Sequence, residues 1–266
     1  MSSEMRFEFT KDNIDIYLKE LAKEYRKQVG KAMPAELIMI GGASVLINYG
    51  FRNMTTDIDA LIFAASGMKD AIQRVGDKYG LPKDWLNADF KRTESYSPKL
   101  SEFSVYYRTW SNVLTVRTVS AEYLIAMKLR SGRRYKSDLS DVIGILYEHE
   151  KRKTPIRMEQ IRKAVVDLYG DWDSLPESSQ AFVENVFRSG SLEKLYVQAT
   201  EDEKVTRDSL IQFGQDYPGV TTPENVDMIT SNLQRTADRE SILAQLRERQ
   251  QNEVKHNRKD RDSFER

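Results

Sequence analysis

The sequence predicts an α+β fold, in which a small mixed β-sheet flanked by helices is followed by a helical C-terminal domain. Short apolar and β-branched runs bounded by glycine or polar residues occur before residue 120, as strands do. Helical patterns, with apolar residues three and four positions apart, precede and separate these runs. After residue 120 only helical patterns follow, so the 266-residue chain has room for a mixed domain and a helical one.

The first half of the chain alternates between helical and strand-like segments. Residues 11–29 carry one apolar stripe at helical spacing, and Gly30 ends it. The polar stretch 81–101 contains two prolines and is predicted to be a long loop. The other predicted elements are strands over 36–40, 57–63, 103–107 and 113–119, and helices over 43–50 and 67–79.

The second half is predicted to be helical throughout. The last helix begins at Thr222, an N-cap residue, with Pro223 in the first helical position. The helices before it are predicted over 121–130, 138–150, 156–169, 176–188, 191–199 and 208–214. These patterns indicate three parts: a mixed domain over 1–150, a helical domain over 151–246 and a charged, flexible tail over 247–266.

Composition excludes several classes of site. The chain has no cysteine and two histidines, which excludes disulfides, zinc–thiolate sites and thiolate nucleophiles. Its 41 basic and 41 acidic side chains give a net charge of zero, whereas a dedicated nucleic-acid binder is usually basic. No apolar run is long enough for a membrane span, and the polar N-terminus is unlike a signal peptide. We therefore expect a cytoplasmic protein without a membrane partner.

The most informative segment is 38–62, where an apolar strand, a Gly-Gly turn, a short helix and an Asp-Ile-Asp strand follow each other. Asp57 and Asp59 are two residues apart on a strand, so both carboxylates point to one face and could hold Mg²⁺ or Mn²⁺. Gly41 and Gly42 allow a phosphate close to the backbone at a helix N-terminus. Ser44 could add a hydroxyl donor. Metal and phosphate sites side by side are what phosphoryl or nucleotidyl transfer requires.

These residues resemble a known superfamily, the polymerase-β-like nucleotidyltransferases. The specific variant GGASVLINYGFRNMTTDIDALI resembles the AbiEii/MenT-type branch, with matches at Arg52, Thr56, Asp57 and Asp59. A second matching motif lies in AEYLIAMKLRSGRRYKSDLSDV (121–142), at Lys128, Arg133, Lys136, Asp138 and Asp141. The resemblance covers residues 36–145 and rests on two motifs in the right order.

The resemblance implies a Mg²⁺-dependent enzyme that moves a nucleoside monophosphate from an NTP to a hydroxyl of an RNA, such as tRNA, or of a protein. It also implies a toxin–antitoxin or phage-defence system with a cognate antitoxin. Lys128 would contact the triphosphate, and Asp138 or Asp141 would orient Lys128 or assist the metal. The predicted nucleotide-binding residues are Gly41, Gly42, Ser44, Arg52, Thr56, Arg133 and Lys136. The C-terminal helices could form a homo-oligomer.

The chain departs from the superfamily pattern at one point, and several alternatives stay open. The strands predicted over 103–107 and 113–119 lack the third carboxylate that often activates the attacking hydroxyl. The alternative function is therefore a non-catalytic, antitoxin-like binding module on the same fold. Lys128 could simply extend to the solvent, and Asp138 and Asp141 could form salt bridges with the basic residues that precede them. Those basic residues could be a solvated turn or a phosphate-binding surface.

Overall fold

The predicted α+β fold is confirmed by a computed structural model, which describes residues 7–133, 136–222 and 225–234. The strands are β1 (Phe9–Thr10), β2 (Ala35–Met39), β3 (Met54–Thr55), β4 (Ile58–Phe63), β5 (Leu86–Asn87), β6 (Ser104–Trp110) and β7 (Leu114–Val119). The helices are α1 (Lys11–Val29), α2 (Gly41–Asn48), α3 (Gly67–Tyr79), α4 (Ala121–Ser131), α5 (Asp138–Lys151), α6 (Met158–Tyr169), α7 (Glu177–Arg188), α8 (Leu192–Asp216) and α9 (Val226–Gln234).

The central sheet is mixed and has the strand order β5-β4-β2-β7-β6. Strand β2 pairs antiparallel with β4 and parallel with β7, so it lies in the middle of the sheet. The outer pairs are β4 with β5, which are parallel, and β6 with β7, which are antiparallel. A separate antiparallel pair of β1 and β3 lies beside the entrance to β4.

Both faces of the central strand are buried from Leu37 onward, which explains why the sequence after Glu36 is apolar. Leu37 and Met39 belong to the core that α1 and α3 cover, together with Trp85. Ile38 and Ile40 are also buried and alternate to the opposite face. Helix α2 packs against β4 and α4, and its Ala43 and Leu46 belong to the same core as Leu37 and Met39. The glycine turn and the Asp-Ile-Asp segment therefore lie against a rigid support.

The chain divides into two compact units. Among the described residues, the first contains 7–132 and 138–197, with the central sheet and helices α1 to α7. The second contains the described residues of 133–137 and 198–234, and Phe213 and Ile229 form the centre of its small apolar core. Among the residues that the structure describes, no helix is both long and apolar enough to span a membrane.

Three local predictions need correction. The helices predicted over 191–199 and 208–214 are one continuous helix, α8, because the polar residues between them stay helical. The predicted loop over 81–101 contains β5 and two 3-10 turns, Asp89–Arg92 and Pro98–Ser101. The strand predicted from residue 57 begins at Ile58. Pro223, Glu224 and the predicted tail over 247–266 lie outside the described residues, and the three-part domain division stays a prediction.

Candidate functional site

The two acidic residues of the Asp-Ile-Asp segment lie at the start of β4. Ile58 is fully buried, while Asp57 is exposed and Asp59 is half-buried. The amide of Ile58 donates a hydrogen bond of 2.9 Å to the carbonyl of Trp85. This bond fixes the first residue of β4 to the residue that precedes β5. The alternation places both acids on the side of the sheet opposite to Ile58.

Asp59 lies next to the glycine turn. Gly41 has a φ of +56°, in the left-handed region that glycine tolerates best. A Cβ atom added to Gly41 would lie 3.7 Å from Oδ2 of Asp59. The main chains also meet here, because the amide of Ile40 donates to the carbonyl of Asp59 at 3.0 Å. A predicted metal-binding carboxylate and the predicted phosphate-binding turn are therefore adjacent.

Gly42 faces the protein interior. A Cβ atom at this position would lie 2.8 Å from Nη2 of Arg52 and 2.8 Å from Oγ1 of Thr55. Both distances are too short for a carbon atom, so a larger residue would require one of these side chains to move. Glycine at position 42 therefore allows the side chains of Arg52 and Thr55 to pack closely against α2, with or without a bound ligand.

Each of the three nitrogen atoms of the Arg52 guanidinium group contacts a neighbouring group of the protein. Its Nε donates to the carbonyl of Met54 at 3.1 Å, and its Nη1 donates to Oδ2 of Asp141. Its Nη2 lies against Gly42. This predicted nucleotide-binding residue therefore links the glycine turn to helix α5.

Lys128, Asp138 and Asp141 come together, as neighbours in one buried cluster. Nζ of Lys128 lies 2.8 Å from Oδ1 of Asp138 and 2.8 Å from Oδ2 of Asp141. Lys128 is 7% exposed, so it does not extend to the solvent. Burial, the largest influence, lowers the pKa of Lys128, but the two carboxylates together outweigh it and hold this pKa above its usual value.

Together with Arg52, these three residues form a charge network of two cations and two anions. The shared member is Asp141, whose Oδ2 is a partner of both Arg52 and Lys128. Asp138 is fully buried and Asp141 nearly so. Such a cluster balances its own charge, and the loss of one member leaves the others buried without compensation.

Ser44 and Thr56 occupy contrasting environments. Ser44 is fully buried in α2, and its hydroxyl accepts a hydrogen bond of 3.5 Å from Asn48. Thr56 is exposed in the bend between β3 and β4. Their predicted phosphate contacts stay predictions, and for Ser44 the structure supplies a partner within the helix.

Arg133 and Lys136 lie in the connection between α4 and α5. Arg133 is half-buried and Lys136 is exposed, and this connection belongs to the second compact unit. Their predicted nucleotide contacts stay predictions. Arg134, a member of the same basic segment, lies outside the described residues.

Two residues near the acids were not singled out for the site by the sequence patterns. Asn87 pairs with Asp59 in the parallel register of β4 and β5, so an amide occupies the neighbouring strand position. Its Oδ1 accepts a hydrogen bond of 2.9 Å from the amide of Asp89. Thr55 is buried, and its hydroxyl donates to the carbonyl of Asp57 at 3.2 Å. Neither residue lies in a sequence pattern that predicts a strand, because each belongs to a strand of only two residues.

The acids present fit a metal ion that is bound together with a nucleotide. Within the described ranges, no group of three or more His, Cys, Asp or Glu side chains is arranged to hold a metal ion. Mg²⁺ is usually held by one or two carboxylates and completes its shell with water and substrate phosphates. Asp57, Asp59 and an adjacent phosphate-binding turn are compatible with that mode of binding.

Comparisons with known proteins identify a family for the chain. No curated protein and no solved structure matches the chain. One family model does match, over residues 17–167, and its description is "Nucleotidyltransferase of unknown function (DUF6036)". The match contains the glycine turn, both acids of the Asp-Ile-Asp segment and the buried cluster around Lys128, and it covers more than half of the sequence. It implies a nucleoside triphosphate substrate. The chain therefore belongs to DUF6036, a family of nucleotidyltransferases of unknown function.

Proposed function

We propose that the protein moves a nucleoside monophosphate from an NTP to a hydroxyl group of an RNA, such as tRNA, or of a protein. The observation that carries this proposal is the contact between Asp59 and the glycine turn at the start of α2. A metal ion on Asp57 and Asp59 and phosphates on the turn would then share one site. Family membership supports the transfer reaction itself, whereas the acceptor is inferred from the resemblance.

In the proposed reaction, the acceptor hydroxyl attacks the α-phosphorus of the NTP. A new phosphorus–oxygen bond forms, the bond between the α-phosphorus and the bridging oxygen breaks, and pyrophosphate leaves. The hydroxyl proton passes to the solvent. Mg²⁺ or Mn²⁺, held by Asp57 and Asp59, would supply positive charge at the phosphate oxygens.

The chain contributes backbone amides and buried charge. The first amides of α2, at Gly41 and Gly42, have no acceptor within the helix and can donate to phosphate oxygens. Lys128 is kept protonated by Asp138 and Asp141, which supports the predicted role of these acids in orienting it. For Lys128 to contact the triphosphate directly, its ammonium group would have to exchange one of these carboxylates for a phosphate oxygen.

One observation favours a second candidate, a non-catalytic binding or antitoxin-like regulatory module. The residue beside Asp59 in the neighbouring strand is Asn87, an amide that cannot accept the hydroxyl proton. Strands β6 and β7 contain no Asp or Glu. A nucleotide-binding site without a general base would bind NTP but would transfer the nucleoside monophosphate slowly or not at all.

The biological setting is proposed from the resemblance to the AbiEii/MenT-type branch. The protein would act in a toxin–antitoxin or phage-defence system, with a cognate antitoxin as its partner. It would lie in the cytoplasm and form a homo-oligomer through its C-terminal helices. The family match supports the superfamily and does not extend to this branch.

A transfer assay separates the two candidates. Purified protein is incubated with each of the four α-labelled NTPs, Mg²⁺ or Mn²⁺, and pools of total RNA and of protein. We expect label transfer that is lost in Asp57→Asn and Asp59→Asn and retained in Asp202→Asn, which removes an exposed acid of α8. NTP binding without transfer to any acceptor would favour the binding module.

A further inference from the structure

We propose that Thr55 is a positioning residue, whose buried hydroxyl sets the distance between the metal-binding carboxylates and the phosphate-binding turn. This inference rests on the proposed function, because it concerns the same site. The family resemblance points to the adjacent Thr56, yet Thr56 is exposed and Thr55 is 3% exposed.

A single atom, Oγ1 of Thr55, touches both halves of the site. It donates to the main-chain carbonyl of Asp57 at 3.2 Å, which fixes the chain immediately before β4. It also lies 2.8 Å from the position that a Cβ atom would occupy on Gly42. The hydroxyl is therefore packed between the first turn of α2 and the residue that carries the first carboxylate.

The position of Thr55 is itself fixed from outside the site. Thr55 pairs with Phe9 in the two-stranded sheet of β1 and β3, and Phe9 is fully buried. On the other side, Nε of Arg52 donates to the carbonyl of Met54, the other residue of β3. The pairing with Phe9 lies outside the acids and the glycines, so it gives Thr55 a support from which the hydroxyl can position them.

This position is important because a metal ion has to reach both groups at once. Mg²⁺ requires its oxygen ligands at about 2.0–2.1 Å in nearly ideal octahedral geometry. A shift of the Asp57 main chain relative to the turn would leave either the carboxylate or the phosphate out of range. Groups that hold metal ligands in place typically contribute about 10–100-fold to metal affinity.

The test compares Thr55→Val, which removes the hydroxyl at nearly constant size, with Thr55→Ser, which keeps it. Thr118→Val is the matched control, because Thr118 is equally buried and lies in β7. Free Mn²⁺ is measured by electron paramagnetic resonance with a non-hydrolysable NTP analogue, so the readout does not require transfer. We expect affinity to fall about 10-fold or more in Thr55→Val and to stay near the wild-type value in Thr55→Ser and Thr118→Val.

Two results would overturn the inference while the proposed function stands. One is unchanged Mn²⁺ affinity in Thr55→Val when Asp57→Asn abolishes binding. The other is a loss in Thr55→Ser as large as that in Thr55→Val, which would show that the packing of the whole side chain matters rather than the hydroxyl alone. Failure of the wild type to bind Mn²⁺ would overturn the metal site and this inference together. Should Thr55→Val fail to fold, Thr55→Ala is compared with Thr55→Ser in the same way.

Discussion

Lys128 and Asp141 form a buried ion pair, with Nζ of the lysine 2.8 Å from Oδ2 of the aspartate. The same oxygen accepts a hydrogen bond from Arg52, which lies against Gly42. Helices α4 and α5 are thereby connected to the glycine turn through charged side chains. Changes within this network should affect both the stability of the first unit and the geometry of the site.

The first prediction concerns Asp141→Asn, which removes the charge that Arg52 and Lys128 share. Lys128 would then retain its pair with Asp138, whereas the half-buried Arg52 would lose its pair with Asp141. We expect the free energy of unfolding to fall by about 3–5 kcal/mol, the usual cost of breaking a buried ion pair. Urea denaturation of the purified protein measures this change.

Glu184→Gln is the matched control for that measurement. Glu184 pairs with Arg162 at 3.0 Å and with Arg188 at 3.5 Å, and all three side chains are partly exposed to the solvent. Loss of an exposed pair should cost less than about 1 kcal/mol. An equally small loss in Asp141→Asn would show that the buried network does not stabilise the fold.

The second prediction concerns Gly42→Ala, whose added methyl group would collide with Arg52 and Thr55. Arg52 cannot simply swing away, because Asp141 and the carbonyl of Met54 hold its guanidinium group. We expect a loss of about 1–3 kcal/mol, typical of overpacking, together with weaker NTP binding. Chemical denaturation and calorimetric titration with a non-hydrolysable NTP measure the two effects.

A second glycine of the chain provides the control for this substitution. Gly214 lies in α8, and a Cβ atom there would meet nothing within 4 Å. Gly214→Ala should therefore stabilise the protein by up to about 1 kcal/mol, because alanine favours the helix. A neutral or stabilising Gly42→Ala would contradict the packing around Gly42.

The third prediction concerns Ser44→Ala and decides between two roles of this hydroxyl. Ser44 is fully buried and interacts with Asn48 through a long hydrogen bond of 3.5 Å. We expect NTP affinity to stay within about 2-fold and stability to fall by no more than about 1 kcal/mol. A loss of NTP affinity of about tenfold or more would instead establish the phosphate contact that the sequence pattern predicts.

The parts of the fold that the sequence predicts well are those with a strong local pattern. Helix α1 has the predicted bounds, 11–29, because its apolar stripe ends at a glycine. Strand β5 shows no pattern, since only two residues form it and their pairing with β4 creates it. Helix α8 was predicted as two helices, because the polar residues between its apolar segments resemble a loop.

Prediction of the site has the same limit. The resemblance, rather than any local pattern, implied that Asp138 or Asp141 lies close to Lys128, and both do. Arg52 and Asp141, in contrast, are 89 residues apart, and only tertiary packing brings them together. The choice between Thr55 and Thr56 also depended on burial, which two identical neighbouring residues do not reveal in sequence.

The last prediction concerns the pH dependence of the contact between α1 and α3. Hydrogen bonds from Lys23 and then Lys78 lower the pKa of Glu20 from 4.5 to about 2. A carboxyl group with a lowered folded-state pKa stabilises the protein above its unfolded pKa. The stabilisation by Glu20 should therefore be complete above pH 4.5 and disappear as the pH falls towards about 2.

Glu20→Gln tests this dependence, because glutamine keeps the size of the side chain and cannot ionise. At about pH 7 the variant should be less stable than the wild type by under about 1 kcal/mol, since the lysine partners are exposed. The difference should shrink as the pH falls below 4.5 and also in about 1 M salt, where screening weakens exposed pairs. Urea denaturation of both proteins across this pH range measures it, and a difference that stays constant down to about pH 3 would contradict the role of Glu20.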